Sequence, residues 1–287
     1  MKYIFIIFKA ILTLPNINTL FKSSLGKDRD FLIINDNHIK AISQLFSGEI
    51  KKYNFLNKIK DKMINENHQN YYFNITNFFS EKTLNHIEKS LKDKNFLNNI
   101  SNHFGYKLNF SKFMIRFNYY NPLSVEEYGA KMWHRDNDSL FNQLKFFLVL
   151  NDLSEDIGGY FYFIPQKYLP SHIKLSSQYK NTENFNQNDI SSRIKNDDMD
   201  NKYKFINKSI KYGDDKTSAL ILDTNDTYHK GGFIKRKNGY RILLQAIYEP
   251  KYLSLSNYSR FNKNLLYRGL KFFLLAVKNK LRSKIQS

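Results

Sequence analysis

His134 and Asp136 stand two positions apart in the segment Trp133-His-Arg-Asp136. On extended backbone, residues i and i+2 project to the same face, so an imidazole nitrogen and a carboxylate oxygen can converge on one ion about 2 Å from each. Alone, a His-x-Asp pair is weak evidence, because the pattern arises by chance. His229 strengthens it. It follows the apolar run Ala219-Leu-Ile-Leu222 and the turn Asp223-Thr-Asn-Asp226, where a barrel or double sheet would return it to the first pair. Two neutral imidazoles and one carboxylate on one face of an octahedron leave three positions open, which favours Fe(II) and O2 chemistry over structural zinc. Asp138, Asp223 and Asp226 are alternative carboxylates, but none has a histidine two residues away. Asp223 and Asp226 suit the turn before His229 better. His38, His68, His86 and His103 lack metal-like spacing and read as structural or solvent-exposed.

Arg241 lies within the apolar segment Tyr240-Arg-Ile-Leu-Leu-Gln-Ala-Ile-Tyr248. A charge inside such a strand needs a partner, and a carboxylate gripped by both arms of the guanidinium is the natural one. A dicarboxylate cosubstrate suits both ends, its keto-acid end on the iron and its distal carboxylate on Arg241. Without the histidines, a solvent-facing or protein-paired arginine would be the better reading. Arg116 and Asn118 share a face of the preceding strand and read as ordinary strand-edge polar residues, while Trp133 is expected to pack beside the site.

These blocks resemble a known family. His134-Arg-Asp136, Leu144-Lys-Phe-Phe-Leu-Val-Leu-Asn-Asp152, Gly158-Gly-Tyr-Phe-Tyr-Phe-Ile-Pro165 and Asp223-Thr…His229-Lys-Gly-Gly…Arg241 are similar, in order and approximate spacing, to the phytanoyl-CoA dioxygenase-like oxygenases. The resemblance begins at about residues 110–150, ends near residue 250, and leaves both ends of the chain unexplained. It implies a double-stranded β-helix (jelly roll), with His134, Asp136 and His229 as iron ligands and Arg241 holding 2-oxoglutarate. O2 would be the oxidant, and no catalytic residue beyond the metal ligands is implied. Because Asp136 is present, hydroxylation is favoured over halogenation, which needs that ligand position for a halide. Two departures leave the substrate pocket undefined. The Ile-Pro segment continues as Gln166-Lys-Tyr-Leu-Pro-Ser-His172 rather than directly into Gly-Ser-His, and no Ser or Thr lies two residues after Arg241.

Short strands would have to position these groups. Aromatic and β-branched residues over Phe110–Tyr120, the apolar runs Leu144–Leu150 and Ser218–Leu222, the alternation over Gly159–Pro165 and the segment Tyr240–Tyr248 predict a sandwich or barrel. Asn238-Gly239 marks a turn before the last strand. Residues 79–99 predict one amphipathic helix, with Ser80 as N-cap and Leu84, Ile87 and Leu91 on one face. The expected organisation is mainly β with flanking helices. Residues 1–107 form a helical or irregular extension packing on the core, and 108–250 form the oxygenase core. A polar insertion at about 176–213 is either a lid or disordered, and 251–287 form a basic amphipathic C-terminal helix.

Bulk properties narrow the classes. The 287-residue chain has no cysteine, which excludes disulfides, thiolate metal sites, iron–sulfur clusters and cysteine nucleophiles. Its 41% hydrophobic content, with 25 Phe and 20 Tyr, supports a core and argues against global disorder. The net charge of +19 reads either as a solvated surface or as a field for anionic partners, and the basic C-terminal segment either packs its apolar face against the β-domain or lies on an anionic membrane surface. No segment reaches the ~20 apolar residues of a membrane span, and Met1–Leu14 lacks a small-residue cleavage site. These features predict a cytoplasmic protein, peripheral at a membrane at most. The expected substrate is a small molecule, lipid-like or anionic. The ordered aromatic and basic array of a dedicated nucleic-acid binder is not evident, and oligomeric state is not legible. Two other classes stay open: an inactive jelly-roll binding module and a basic membrane-surface interaction protein.

Overall fold

The structure, a computed structural model, describes residues 30–52, 72–104, 108–120, 129–136, 143–169, 196–197, 199, 204, 206–224 and 227–250. Its strands are β1 (Phe31–Ile34), β2 (Phe73–Asn74), β3 (Leu108–Tyr119), β4 (Leu144–Val149), β5 (Phe161–Ile164), β6 (Ile210–Tyr212), β7 (Ala219–Asp223), β8 (Tyr228–Gly231) and β9 (Tyr240–Pro250). Among the described residues, three α-helices, α1 (Asn37–Lys52), α2 (Glu81–Leu91) and α3 (Lys94–Phe104), precede the long strand β3.

Strand pairing is antiparallel throughout, in a large sheet ordered β1-β7-β4-β9-β3-β2 and a small one ordered β6-β5-β8. His134 extends the small sheet through a bridge to His229 on β8. From β3 onward the chain visits large, small, large, small, small, large, small and large sheet in turn, with 133–134 as its second member. That alternation is the double-stranded β-helix, or jelly roll. β1 and β2 widen the large sheet at its two edges.

The central strands read as continuous apolar runs because both of their faces are covered. On β4, Leu144, Phe146 and Leu148 pack in one core with Ile39, Ile42 and Phe46 of α1, Ile87 and Leu91 of α2, and Phe96, Ile100 and Phe104 of α3. Ile242, Leu244, Ala246 and Tyr248 of β9 share that helical side. The alternate residues Phe147, Val149 and Leu243 meet Phe161, Phe163 and Tyr212 of the small sheet in a second core. Period two therefore sends Lys145, Arg241 and Gln245 into the space between the sheets.

Several expectations need correcting. The predicted helix over 79–99 is two helices. Ser80 Oγ does accept from Thr83 N–H at 3.3 Å as an N-cap. But Asp93 Oδ1 accepts from Asn95 and Phe96 N–H at 3.0 and 2.9 Å, opening a second helix where the first would have continued. The stretch read as helical or irregular contains β1, whose four residues Phe-Leu-Ile-Ile pair with β7. The polar insertion contains β6, too short at three residues to show a period. Asn238 adopts φ +68° before Gly239, in the turn the sequence predicts. The segment 1–29, the C-terminal helix 251–287 and most of 176–213 lie outside the described residues. Among the described residues no helix is long and apolar enough to cross a membrane.

Phe146 is fully buried and meets Phe96 edge to face at 6.1 Å. Phe146→Ala is expected to destabilise the fold by about 3–5 kcal/mol, read as a lowered urea midpoint with unchanged slope.

Candidate metal centre

Backbone pairing builds the centre. His134 N–H donates to His229 O at 3.0 Å, and His229 N–H returns a bond to His134 O at 2.9 Å. Asp136 N–H donates to Thr224 O at 2.8 Å, which ties the segment to the end of β7. The two imidazoles therefore lie side by side, ring centroids 4.3 Å apart, with Asp136 close to both. Nδ1 of His134 lies 2.8 Å from Met132 O, and Nδ1 of His229 lies 3.0 Å from Thr227 O. A carbonyl oxygen only accepts, so each Nδ1 carries the proton and each Nε2 presents its lone pair. Those Nε2 atoms lie 3.7 and 3.5 Å from the Asp136 oxygens. One ligand atom from each residue lies within 4.8 Å of the others, so His134, Asp136 and His229 can hold a metal ion together.

The electrostatics suit a cation. Burial works to raise the Asp136 carboxyl, but the Lys145 ammonium and the two imidazoles outweigh it and hold the group well below the usual carboxylate range. Lys145 Nζ reaches Asp136 Oδ2 at 2.6 Å. Sequence reasoning missed Lys145, although a lysine inside Leu144–Leu150 carries the same signal that singled out Arg241.

Arg241 is 6% exposed and lies on the inner face of β9. Its Nη1 donates to Gly159 O at 2.5 Å, while Nε and Nη2 donate to Asn118 Oδ1 at 3.3 and 3.0 Å. Asn118 is its register partner on β3, so the reading of Asn118 as an ordinary strand-edge residue is corrected. Gly159 has φ +79°, a conformation that favours glycine, and a Cβ there would also displace Ile234 Cδ1, 2.4 Å away; glycine thus suits the turn that brings this carbonyl to the guanidinium. Among the described residues, no carboxylate pairs with Arg241. Burial, with Arg116 nearby, pushes the guanidinium down to about 10, which leaves it cationic at neutral pH. Lys131, at the end of the 3-10 turn Gly129–Lys131, is pushed down to about 8 by burial and by Arg241.

Trp133 does not pack beside the centre. Adjacent residues of extended backbone face opposite ways, so its ring joins Ile164, Leu169, Met199 and Tyr228 in a separate cluster. Its Nε1 donates to Asn196 Oδ1 at 2.9 Å. Asn196 and Met199 belong to the insertion read as a lid or a disordered loop, and these two residues pack on the Trp133 side. Structural roles fit His38 and His103, which bond Ser90 O and Phe31 O at 2.7 and 2.8 Å.

No protein-family profile matches the chain, and no curated protein does. Solved structures that are distantly similar include the following three. HygX from Streptomyces hygroscopicus, with nickel and 2-oxoglutarate bound, shares 12% identity at TM-score 0.42 over 79% of this chain and 88% of its own. The α-ketoglutarate-dependent epimerase SnoN of nogalamycin biosynthesis shares 10% at TM-score 0.42 over 78% and 77%. A prolyl 4-hydroxylase from Phytophthora capsici shares 10% at TM-score 0.41 over 85% and 70%. Likenesses this distant carry no weight for the chemistry of this chain.

In chelator-treated protein, Lys145→Met is expected to destabilise the fold and to do so less in an Asp136→Asn background. The coupling should be about 2 kcal/mol, below the ~3–5 kcal/mol of a fully buried pair because Asp136 keeps some access to water. Denaturant titration of the four proteins measures it. Lys131 gives a pH test. Its proton leaves the folded protein near pH 8 but the unfolded chain only near 10.5. Between those values the unfolded state binds more protons, so the parent should gain stability with rising pH relative to Lys131→Met. Paired melting curves at pH 7.5 and 10 read the difference.

Proposed function

We propose that this chain is a non-haem Fe(II)- and 2-oxoglutarate-dependent dioxygenase that hydroxylates a small molecule. The observation that carries the reading is a juxtaposition within one jelly-roll interior: a His, Asp, His set whose three ligand atoms converge, and a buried arginine that has no carboxylate partner among the described residues. The donor set fits Fe(II), because two imidazoles and one carboxylate leave room for a chelating cosubstrate. The buried Arg241 fits the far carboxylate of 2-oxoglutarate. The blocks of sequence around these residues support the phytanoyl-CoA dioxygenase-like subfamily.

His134, Asp136 and His229 would hold the iron. Bound iron with 2-oxoglutarate would supply O2 activation coupled to oxidative decarboxylation, the chemistry that oxidises an unactivated C–H bond. The chain's own residues position and shield. Met132 O and Thr227 O fix the two imidazoles by holding their Nδ1 protons. Asn118 and Gly159 O aim the Arg241 guanidinium, and the second core, with Phe147, Phe161 and Phe163, keeps the interior apolar. Asp136 fills the ligand position that halogenation needs, which favours hydroxylation. The net charge of +19 supports a lipid-like or anionic substrate and contact with an anionic membrane surface.

Calorimetric titration tests the roles separately. His134→Ala, Asp136→Ala and His229→Ala should each lose Mn(II) binding, used as a redox-stable probe for Fe(II). Arg241→Ala should keep Mn(II) but bind 2-oxoglutarate about 10–100-fold more weakly. Full Mn(II) affinity in all three ligand variants would remove the triad from the account.

A further inference from the structure

The turn that carries the half-buried Lys131 and the guanidinium of the buried Arg241 both approach Gly231, and neither cation has a carboxylate partner among the described residues. A Cβ on Gly231 would meet Arg241 Nη2 on one side and Ala130 O on the other, each at 3.7 Å. Ala130 precedes Lys131 in the turn that packs on β8. The Lys131 ammonium lies 4.4 Å from the centroid of the Phe233 ring. Phe233 O in turn accepts from Gly159 N–H at 2.7 Å, and Gly159 O accepts from Arg241. Phe233 and Gly159 therefore link the surroundings of the two cations.

The ring accounts for part of this arrangement, since an ammonium over an aromatic face is attracted to it. It does not account for the second charge. Burial disfavours the charged form of Lys131, and the Arg241 guanidinium adds to the penalty. Neutral Met or Gln in place of Lys131 would avoid the repulsion if the fold alone were served. A bound anion reverses the sign, because a carboxylate between them turns two opposed cations into a clamp. The carbonyl of Gly159 and the amide of Asn118 supply no charge that could do so.

We propose that Lys131 is a second cation for the distal carboxylate of the cosubstrate, and that with Arg241 it makes the site select a dicarboxylate over a keto acid of equal length with an uncharged tail. This rests on the function proposed above and names a positioning residue within it. Lys131 would act on binding selectivity, through a carboxylate that takes no part in bond making.

The test is calorimetry on Mn(II)-loaded full chain with two probes, 2-oxoglutarate and 2-oxopentanoate. The parent should prefer 2-oxoglutarate strongly. Lys131→Met should lose about tenfold in 2-oxoglutarate affinity, keep its 2-oxopentanoate affinity and keep Mn(II), while Lys131→Arg should restore the preference. If Lys131→Met binds 2-oxoglutarate within twofold of the parent while Arg241→Met does not, Lys131 is no part of the clamp, and the proposed function stands without it. If Lys131→Met loses Mn(II) as well, Lys131 serves the fold and the proposal fails. A parent that binds Mn(II) but does not distinguish the probes overturns both the clamp and the 2-oxoglutarate reading.

Discussion

Two backbone hydrogen bonds hold the rest of this site in register: His134 N–H to His229 O, and His229 N–H to His134 O. They place residues far apart in sequence directly opposite one another in an antiparallel bridge, where side chains on one face are close neighbours. Both imidazoles then point between the sheets, and Asp136, two residues on, follows to the same side. A slip of one residue would turn His134 outward and bring Trp133 inward. The apolar cluster around Trp133 on the other face, with Tyr228, Ile164 and Met199, resists that slip. The centre is thus fixed by burial on its far side as much as by its own contacts.

The second constraint is charge in an apolar interior. Lys145 on β4 and Arg241 on β9 are buried among residues that otherwise form two hydrophobic cores. Each must be compensated, and the two solutions differ. Lys145 is answered within the chain by Asp136 at 2.6 Å. Arg241 is held by neutral oxygens from Asn118 and Gly159, which orient a guanidinium without neutralising it. The first solution keeps the Asp136 carboxylate ionised between the sheets. The second leaves a charge aimed and uncompensated, which suits an anion that arrives from outside.

Legibility in the sequence followed length and period. β3, β4, β7 and β9 were readable because they are long or continuously apolar. β5, though only four residues long, lies within the alternation over Gly159–Pro165 and was readable too, whereas β1, β2, β6 and β8, at two to four residues, carry no such pattern. The break between α2 and α3 was hidden in plain text, because Asp93 reads as one more polar residue on a helix face until its carboxylate is seen capping Phe96. At the site, spacing singled out His134, Asp136 and His229, and a misplaced charge singled out Arg241. The same misplaced charge at Lys145 passed unread inside an apolar run. Lys131 had no local signal at all, for what distinguishes it is a neighbour more than a hundred residues away. Asn118 carries no sequence signal for its role, because only the β3–β9 register puts it opposite Arg241.

The most direct test of the central claim is visible absorption under anaerobic conditions, with Fe(II) and 2-oxoglutarate added separately and then together. The account predicts a broad charge-transfer band that needs both additions, is lost in Asp136→Ala, and in Arg241→Ala requires far more 2-oxoglutarate. A parent protein that stays colourless with both present, while folded and saturated with Fe(II), would contradict it.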